Sequence, residues 1–115
     1  MKNPLFNYVR TFRLRSALSE EDLAFLLNQK AQSAISQFEA GDRVPGLEST
    51  LGLEVLFRQT PRQLFPGYYE WVQEEVMRRA CELLDRLGSA SDQRSRHKRA
   101  FLETLAQGHG DDEPL

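Results

Sequence analysis

The chain of 115 residues contains a single cysteine, Cys81, and no apolar run long enough to cross a membrane as a helix. One thiol excludes an internal disulfide and fits a reducing compartment, so we expect a cytoplasmic protein. The two histidines, His97 and His109, do not stand at metal-ligand spacing with Cys81, and we expect no bound metal. Gly-rich phosphate loops, nucleophile elbows and paired catalytic carboxylates are also missing. We therefore expect no cofactor and no enzymatic activity.

The chain also lacks a large excess of positive or negative charge, since the formal net charge is only −2. The two signs are nevertheless unevenly distributed along the chain. Up to Gly67, eight basic residues face seven acidic ones, and after it seven basic residues face ten acidic ones. The globally basic field of many nucleic-acid-binding proteins is therefore absent.

Apolar residues recur with a period of 3.6, which predicts an all-α protein. Ser19, followed by acidic residues, and Thr60, followed by Pro61, are typical of helix starts, whereas Gly41 is typical of a helix end. The fourth helix has apolar residues on two faces, which predicts a central position in the fold. The seven expected helices cover approximately 4–17, 19–27, 31–40, 47–57, 61–65, 68–87 and 92–107.

These helices indicate three regions. Residues 1–67 form a five-helix domain, residues 68–107 form a C-terminal helical extension, and residues 108–115 form a polar tail that we expect to be frayed.

The first helix has a charged residue within its apolar stripe. On a helical wheel Leu5, Phe6, Val9, Phe12 and Ala17 share one arc, and Arg13 falls inside it. A buried guanidinium requires a partner, because an unpaired buried charge is very costly. Glu39 flanks the inward face of the third helix, so we predict an Arg13–Glu39 ion pair. The alternative is that Arg13 extends past the stripe into water.

The segment from Tyr8 to Phe65, about half of the chain, resembles the helix-turn-helix domain of phage repressor and Cro-like (XRE-type) transcriptional regulators. The resemblance is carried by "LSEEDLAFLL", "AISQFEAGDRVP" and "PRQLF", together with Arg13. In such domains the arginine and the glutamate of the "QFEAG" segment commonly form an internal tie. The resemblance implies a bacterial or phage regulator in the nucleoid that binds double-stranded DNA at a palindromic operator, often as a homodimer.

In this family the third helix reads bases in the major groove. Its inward side here is Ala31, Ala34, Ile35 and Phe38, and its base-reading candidates are Gln32, Ser33, Ser36 and Gln37. The alternative is a polar helix face that water merely solvates. Candidates for phosphate contact are Asn28, Gln29, Lys30 and Arg43. Four neutralised phosphates would give a slope of log K against log salt near about −3.6.

Three features depart from the family pattern. Glu20 occupies a position where many relatives have a glutamine that reaches a phosphate, and its carboxylate would repel DNA. The turn "NQKAQ" is about one residue longer than usual, and Phe25 falls on the outer side of the second helix. An exposed phenylalanine there would lie beneath another element or mark a partner surface.

The sixth helix carries a wide apolar stripe with spacings of three and four. Its members are Tyr69, Val72, Val76, Ala80, Leu83 and Leu87, widened by Met77, Cys81 and Leu84. This width predicts two neighbours: the five-helix domain on one side, and on the other either a second subunit or the seventh helix with Phe101, Leu102 and Leu105. We expect Cys81 to behave as a small apolar residue. Candidates for a dimer or partner surface are Phe25, Val72, Val76, Leu83 and Leu87.

The "RSRHKR" cluster, residues 94–99, is interpreted as a solvated helix face, with phosphate or an acidic partner as the alternative.

Taken together, these features favour a sequence-specific, dimeric DNA-binding regulator. The rival hypothesis is a helix-turn-helix protein-interaction module, such as an antitoxin or a regulatory accessory, that binds its partner through the C-terminal helices and binds DNA weakly or not at all.

Overall fold

The computed structural model describes residues 5–108, and within that range it contains seven α-helices and no strand, which confirms the all-α prediction. The chain divides after Trp71 into two compact units, which are described separately below. No helix among the described residues is long and apolar enough to span a membrane. The helices are α1 (Val9–Arg15), α2 (Glu20–Leu26), α3 (Gln32–Ala40), α4 (Leu47–Phe57), α5 (Pro61–Leu64), α6 (Pro66–Leu87) and α7 (Gln93–Gly108).

Most helix ends lie where local signals predict them. Ser19 Oγ accepts a hydrogen bond from Asp22 N, and the Asp22 carboxylate accepts one from Ser19 N, so the expected capping box is formed. The hydrogen bond that the carboxylate accepts from the Ser19 backbone, and secondly its interaction with the Ser19 side chain, lower the pKa of Asp22. Gly41 ends α3 in the left-handed conformation with φ of 78°. Each end depends on contacts within a few residues, which explains why sequence alone located it.

The predicted start and end of α1 are wrong. Pro4 lies outside the described residues, and the helix begins only at Val9. The buried Asn7 prevents an earlier start, because its side-chain amide donates to the carbonyl oxygens of Leu5 and Phe38 and accepts from Val9 N. Two members of the predicted arc are consequently not buried. Phe6 is 62% exposed, and Ala17 lies in an exposed turn beyond the helix with φ of 58°.

The first unit has one apolar core, to which α1 to α5 all contribute. Its buried members are Val9, Leu23, Ala24, Leu27, Ala34, Ile35, Phe38, Leu53, Phe57, Leu64 and Phe65. The prediction of a central α4 is wrong: Leu53 and Phe57 are buried, but Leu47, Leu51 and Val55 on its other face are 74%, 51% and 77% exposed. No neighbouring element of the first unit buries that second face, so α4 lies at the surface of the unit.

Within this core, α1 and α3 are joined by the ion pair that the helix faces predicted. Arg13 Nε donates to Glu39 Oε2 at 2.6 Å, and its Nη2 donates to Oε1 at 3.1 Å. A third bond runs from Arg13 Nη1 to the Leu18 carbonyl oxygen at 3.0 Å. The hydrogen bond with Glu39 raises the pKa of Arg13. Both side chains are more than nine-tenths buried, so the two charges depend on each other for compensation.

We predict that Glu39→Ala lowers the free energy of unfolding by about 3–5 kcal/mol, because it leaves the Arg13 charge buried without a counter-ion. Urea denaturation followed by circular dichroism measures this change. The control is Glu82→Ala, which removes an exposed partner of Arg78 and should cost less than about 1 kcal/mol. Equal effects of the two substitutions would contradict the structural role of the buried pair.

In the second unit, the part of α6 from Val72 onward is connected to α7 by a short turn. Ala80 of α6 and Leu102 of α7 are its buried apolar residues among those described. Asp92 is the residue before α7 rather than its first residue, and its side chain accepts hydrogen bonds from Ser95 N and Oγ. Cys81 is exposed, so the expectation that it packs as a small apolar residue is wrong.

Candidate nucleic-acid interface

The four base-reading candidates Gln32, Ser33, Ser36 and Gln37 are all exposed and define the polar face of α3. The opposite side of the helix is buried, with Ala34 4%, Ile35 0% and Phe38 1% exposed. Ala31, predicted to point inward, is instead the exposed N-cap. Because the apolar side is fixed in the core, the polar face points outward. No other described part of the first unit covers it.

The turn before α3 is attached to α4 at two points. Leu27 packs so closely on Gly52 that a Cβ at position 52 would lie 2.6 Å from Leu27 Cδ2. Two residues further along, Gln29 Nε2 donates to Oγ of the buried Ser49 at 2.8 Å. Asn28, between them, takes the left-handed conformation with φ of 56°. These contacts fix the position of the turn that precedes α3 against α4.

The four phosphate-contact candidates do not share one environment. Asn28, Lys30 and Arg43 are exposed, and the Arg43 guanidinium lies 5.6 Å from the centre of the Phe38 ring, a cation–π distance. Gln29 differs, because its side-chain amide is half-buried and bonded to Ser49. The Gln29 side chain therefore has a structural contact that the sequence did not predict, and its assignment to phosphate stays a prediction.

We predict that Gln29→Ala lowers the free energy of unfolding by about 1–3 kcal/mol, since it leaves the buried Ser49 hydroxyl without its partner. Thermal or urea unfolding measures the change. Lys30→Ala, the neighbouring exposed position, is the control and should change stability by no more than about 0.5 kcal/mol. A neutral result for Gln29→Ala would contradict a structural role for the bond between Gln29 and Ser49.

Glu20 is part of the site, although the sequence analysis identified it only as a departure from a family pattern. Its Oε1 accepts from Gln32 Nε2 at 3.3 Å, and its Oε2 accepts from Ser36 Oγ at 2.9 Å. The bond from Ser36 and then the bond from Gln32 lower the pKa of Glu20, so the carboxylate is charged at neutral pH. A negative charge from α2 thus lies against two of the four residues of the polar face.

The predicted partner residues also have exposed side chains within their own units. In the first unit Phe25 is 82% exposed, so no other element of that unit covers it. In the second unit Val72, Val76 and Leu83 are 39%, 47% and 37% exposed, and Leu87 is half-buried. Phe101, a predicted neighbour of the α6 stripe, is 63% exposed. Much of the apolar stripe of α6 therefore remains accessible within the second unit.

The basic cluster of α7 combines two roles. Arg94, Arg96, His97 and Lys98 are exposed, as expected for a solvated face. Arg99 instead donates through Nη2 to the carbonyl oxygens of Gly88 at 3.0 Å and Ala90 at 2.8 Å, which stabilises the turn between α6 and α7.

Searches with the chain matched no model of a protein family, no curated protein and no solved structure. Among residues 5–108, no three side chains of the metal-ligating type lie together.

Proposed function

We propose that this protein is a sequence-specific DNA-binding transcriptional regulator with a repressor-like helix-turn-helix domain, in which α3 enters the major groove. The observation that carries the proposal is the outward polar face of α3 above a fully buried underside. In helix-turn-helix proteins the second helix of the pair presents such side chains to base edges. The ion pair between Arg13 and Glu39 supports the same assignment, because the resemblance implies it.

The residue types on this face suit base recognition better than phosphate binding. A glutamine side chain can form a bidentate pair with adenine N6 and N7, and a serine hydroxyl can donate or accept at several bases. Long cationic side chains on the same face would bind phosphate at any sequence and discriminate less. Gln37 and Ser33 supply these groups directly, and Gln32 and Ser36 supply them in contact with Glu20.

Phosphate contacts would come from two cations beside α3. Lys30 precedes the helix and Arg43 follows it, and both are exposed. Two neutralised phosphates correspond to a slope of log K against log salt near about −1.8, since each contributes about 0.9. This slope is shallower than the value expected from four contacts, because Asn28 and Gln29 carry no charge and cannot neutralise a phosphate.

We predict that Gln37→Ala weakens binding to the preferred duplex by about 1–3 kcal/mol and relaxes preference at one base position. The preferred duplex is first obtained by selection from a randomised pool, and affinity is then measured by fluorescence anisotropy on all single-base variants. The loss should be confined to that position because a base contact, unlike a phosphate contact, discriminates between sequences.

The matched control for this experiment is Lys30→Ala. It should weaken binding to all duplexes by similar factors and reduce the magnitude of the salt slope by about 0.9. If Gln37→Ala left the affinity unchanged on every variant, the assignment of this glutamine as a base reader would be wrong.

A homodimer forms part of the proposal, because paired helix-turn-helix domains match palindromic half-sites. The accessible apolar stripe of α6, with Val72, Val76 and Leu83, supports an intersubunit contact made by the second unit.

We predict that Val76→Lys raises the dimer dissociation constant at least about tenfold, since it places a charge within an apolar contact. Sedimentation equilibrium measures this constant. Glu74→Lys, on the opposite side of α6, introduces the same side chain and should leave the dimer intact. A wild-type protein that remains monomeric at high concentration would remove the dimer from the proposal.

A second function, a protein-interaction module of the same fold, is favoured by one observation: Phe25 is 82% exposed on the helix that also carries the charged Glu20. An apolar side chain beside a carboxylate suits a protein partner better than a phosphate backbone. A gel shift on genomic fragments at several salt concentrations separates the two functions. A preferred fragment with steep salt dependence supports the regulator, whereas stoichiometric co-purification with one protein and no shift supports the module.

A further inference from the structure

Glu20 connects α2 to the polar face of α3 through both of its carboxylate oxygens. One oxygen accepts from the amide of Gln32 at 3.3 Å and the other from the hydroxyl of Ser36 at 2.9 Å. Glu20 is half-buried, whereas both of its partners are exposed. The carboxylate is therefore a component of the surface that a ligand of α3 would meet.

The direction of these two hydrogen bonds determines what the three side chains can offer to a ligand. An ionised carboxylate can only accept, so Gln32 uses one of its two amide N–H donors on Glu20 and keeps the other N–H and its carbonyl oxygen. Ser36 likewise uses its only hydroxyl proton on Glu20 and is left with lone pairs. Glu20, Gln32 and Ser36 thus form a negatively charged cluster in which hydrogen-bond acceptors outnumber the one remaining donor, the second N–H of Gln32. We call it the acceptor cluster.

The base edges of the major groove differ in how well they match such a cluster. Guanine presents two acceptors, N7 and O6, and thymine presents an acceptor and a methyl group. Adenine combines a donor with an acceptor, whereas cytosine presents the N4 amino group alone. A phosphate group, which is an anionic acceptor, is repelled as well. Cytosine is therefore the ligand that suits the acceptor cluster best.

On the basis of the proposed function, we propose that the acceptor cluster is a specificity determinant that selects cytosine, through its N4 amino group, and rejects guanine at the same position of that strand. Ser33 and Gln37 are not bonded to Glu20, so they keep both donor and acceptor capacity and read neighbouring bases.

The test substitutes Glu20→Gln, which keeps the size of the side chain, removes its charge and adds a donor. Wild-type protein should enrich cytosine at one position of a randomised duplex, and the affinity ratio of cytosine over guanine there should fall about tenfold or more in the variant. Ser36→Ala, which keeps the charge but removes one of the two bonds, should reduce the same ratio. Circular dichroism confirms that each variant is folded before its binding is compared.

The matched control is Glu21→Gln, which removes the same charge from the next residue of α2, an exposed position. It should strengthen binding to all duplexes alike through weaker repulsion and leave the cytosine preference unchanged. An equal change of preference in Glu20→Gln and Glu21→Gln would mean that charge alone acts, and it would overturn the inference.

The two levels of the proposal fail in different ways. If the wild type enriches a sequence but Glu20→Gln retains its cytosine preference, the inference is overturned and the DNA-binding function stands. If the wild type enriches no sequence and shows no salt-dependent shift, the function is overturned and the inference with it.

Discussion

A buried ion pair joins α1 to α3 inside a largely apolar core. Arg13 forms two bonds with Glu39 and a third with the Leu18 carbonyl, so it contacts the third helix and the segment leading into the second at once. Phe38, one residue before Glu39, is fixed in the same way, because its carbonyl accepts from Asn7. The orientation of α3 follows from these contacts: its apolar side is fixed in the core and its polar side must face outward.

The outward side of α3 brings recognition and repulsion together. Amides and hydroxyls are suited to base edges, yet the Glu20 carboxylate lies against two of them. A phosphate-binding surface would lose affinity through such a charge. A base-reading surface can use it, because the hydrogen-bond polarity it imposes separates donor edges from acceptor edges. In the proposed regulator, the same carboxylate would therefore weaken general attraction to DNA and sharpen discrimination between sequences.

Apolar surface remains accessible in both units of the described structure. In the first unit this surface includes Phe25 and the outer face of α4, and in the second it includes the stripe of α6. Exposed patches of this kind are typical of interaction surfaces on soluble proteins. The two surfaces belong to different units, and only that of the second unit enters the proposed dimer contact.

The amino-acid sequence by itself determined the all-α class, most helix ends and the pairing of Arg13 with Glu39, because helical period, capping and the cost of a buried charge are encoded within short segments or on single faces. Tertiary structure alone decided the late start of α1, the role of Gln29 and the connection of Glu20 to α3. These depend on the contacts Asn7–Phe38, Gln29–Ser49 and Glu20–Ser36, whose partners are 31, 20 and 16 residues apart. Such pairs come into contact only in the packed core, so no local sequence pattern predicts them.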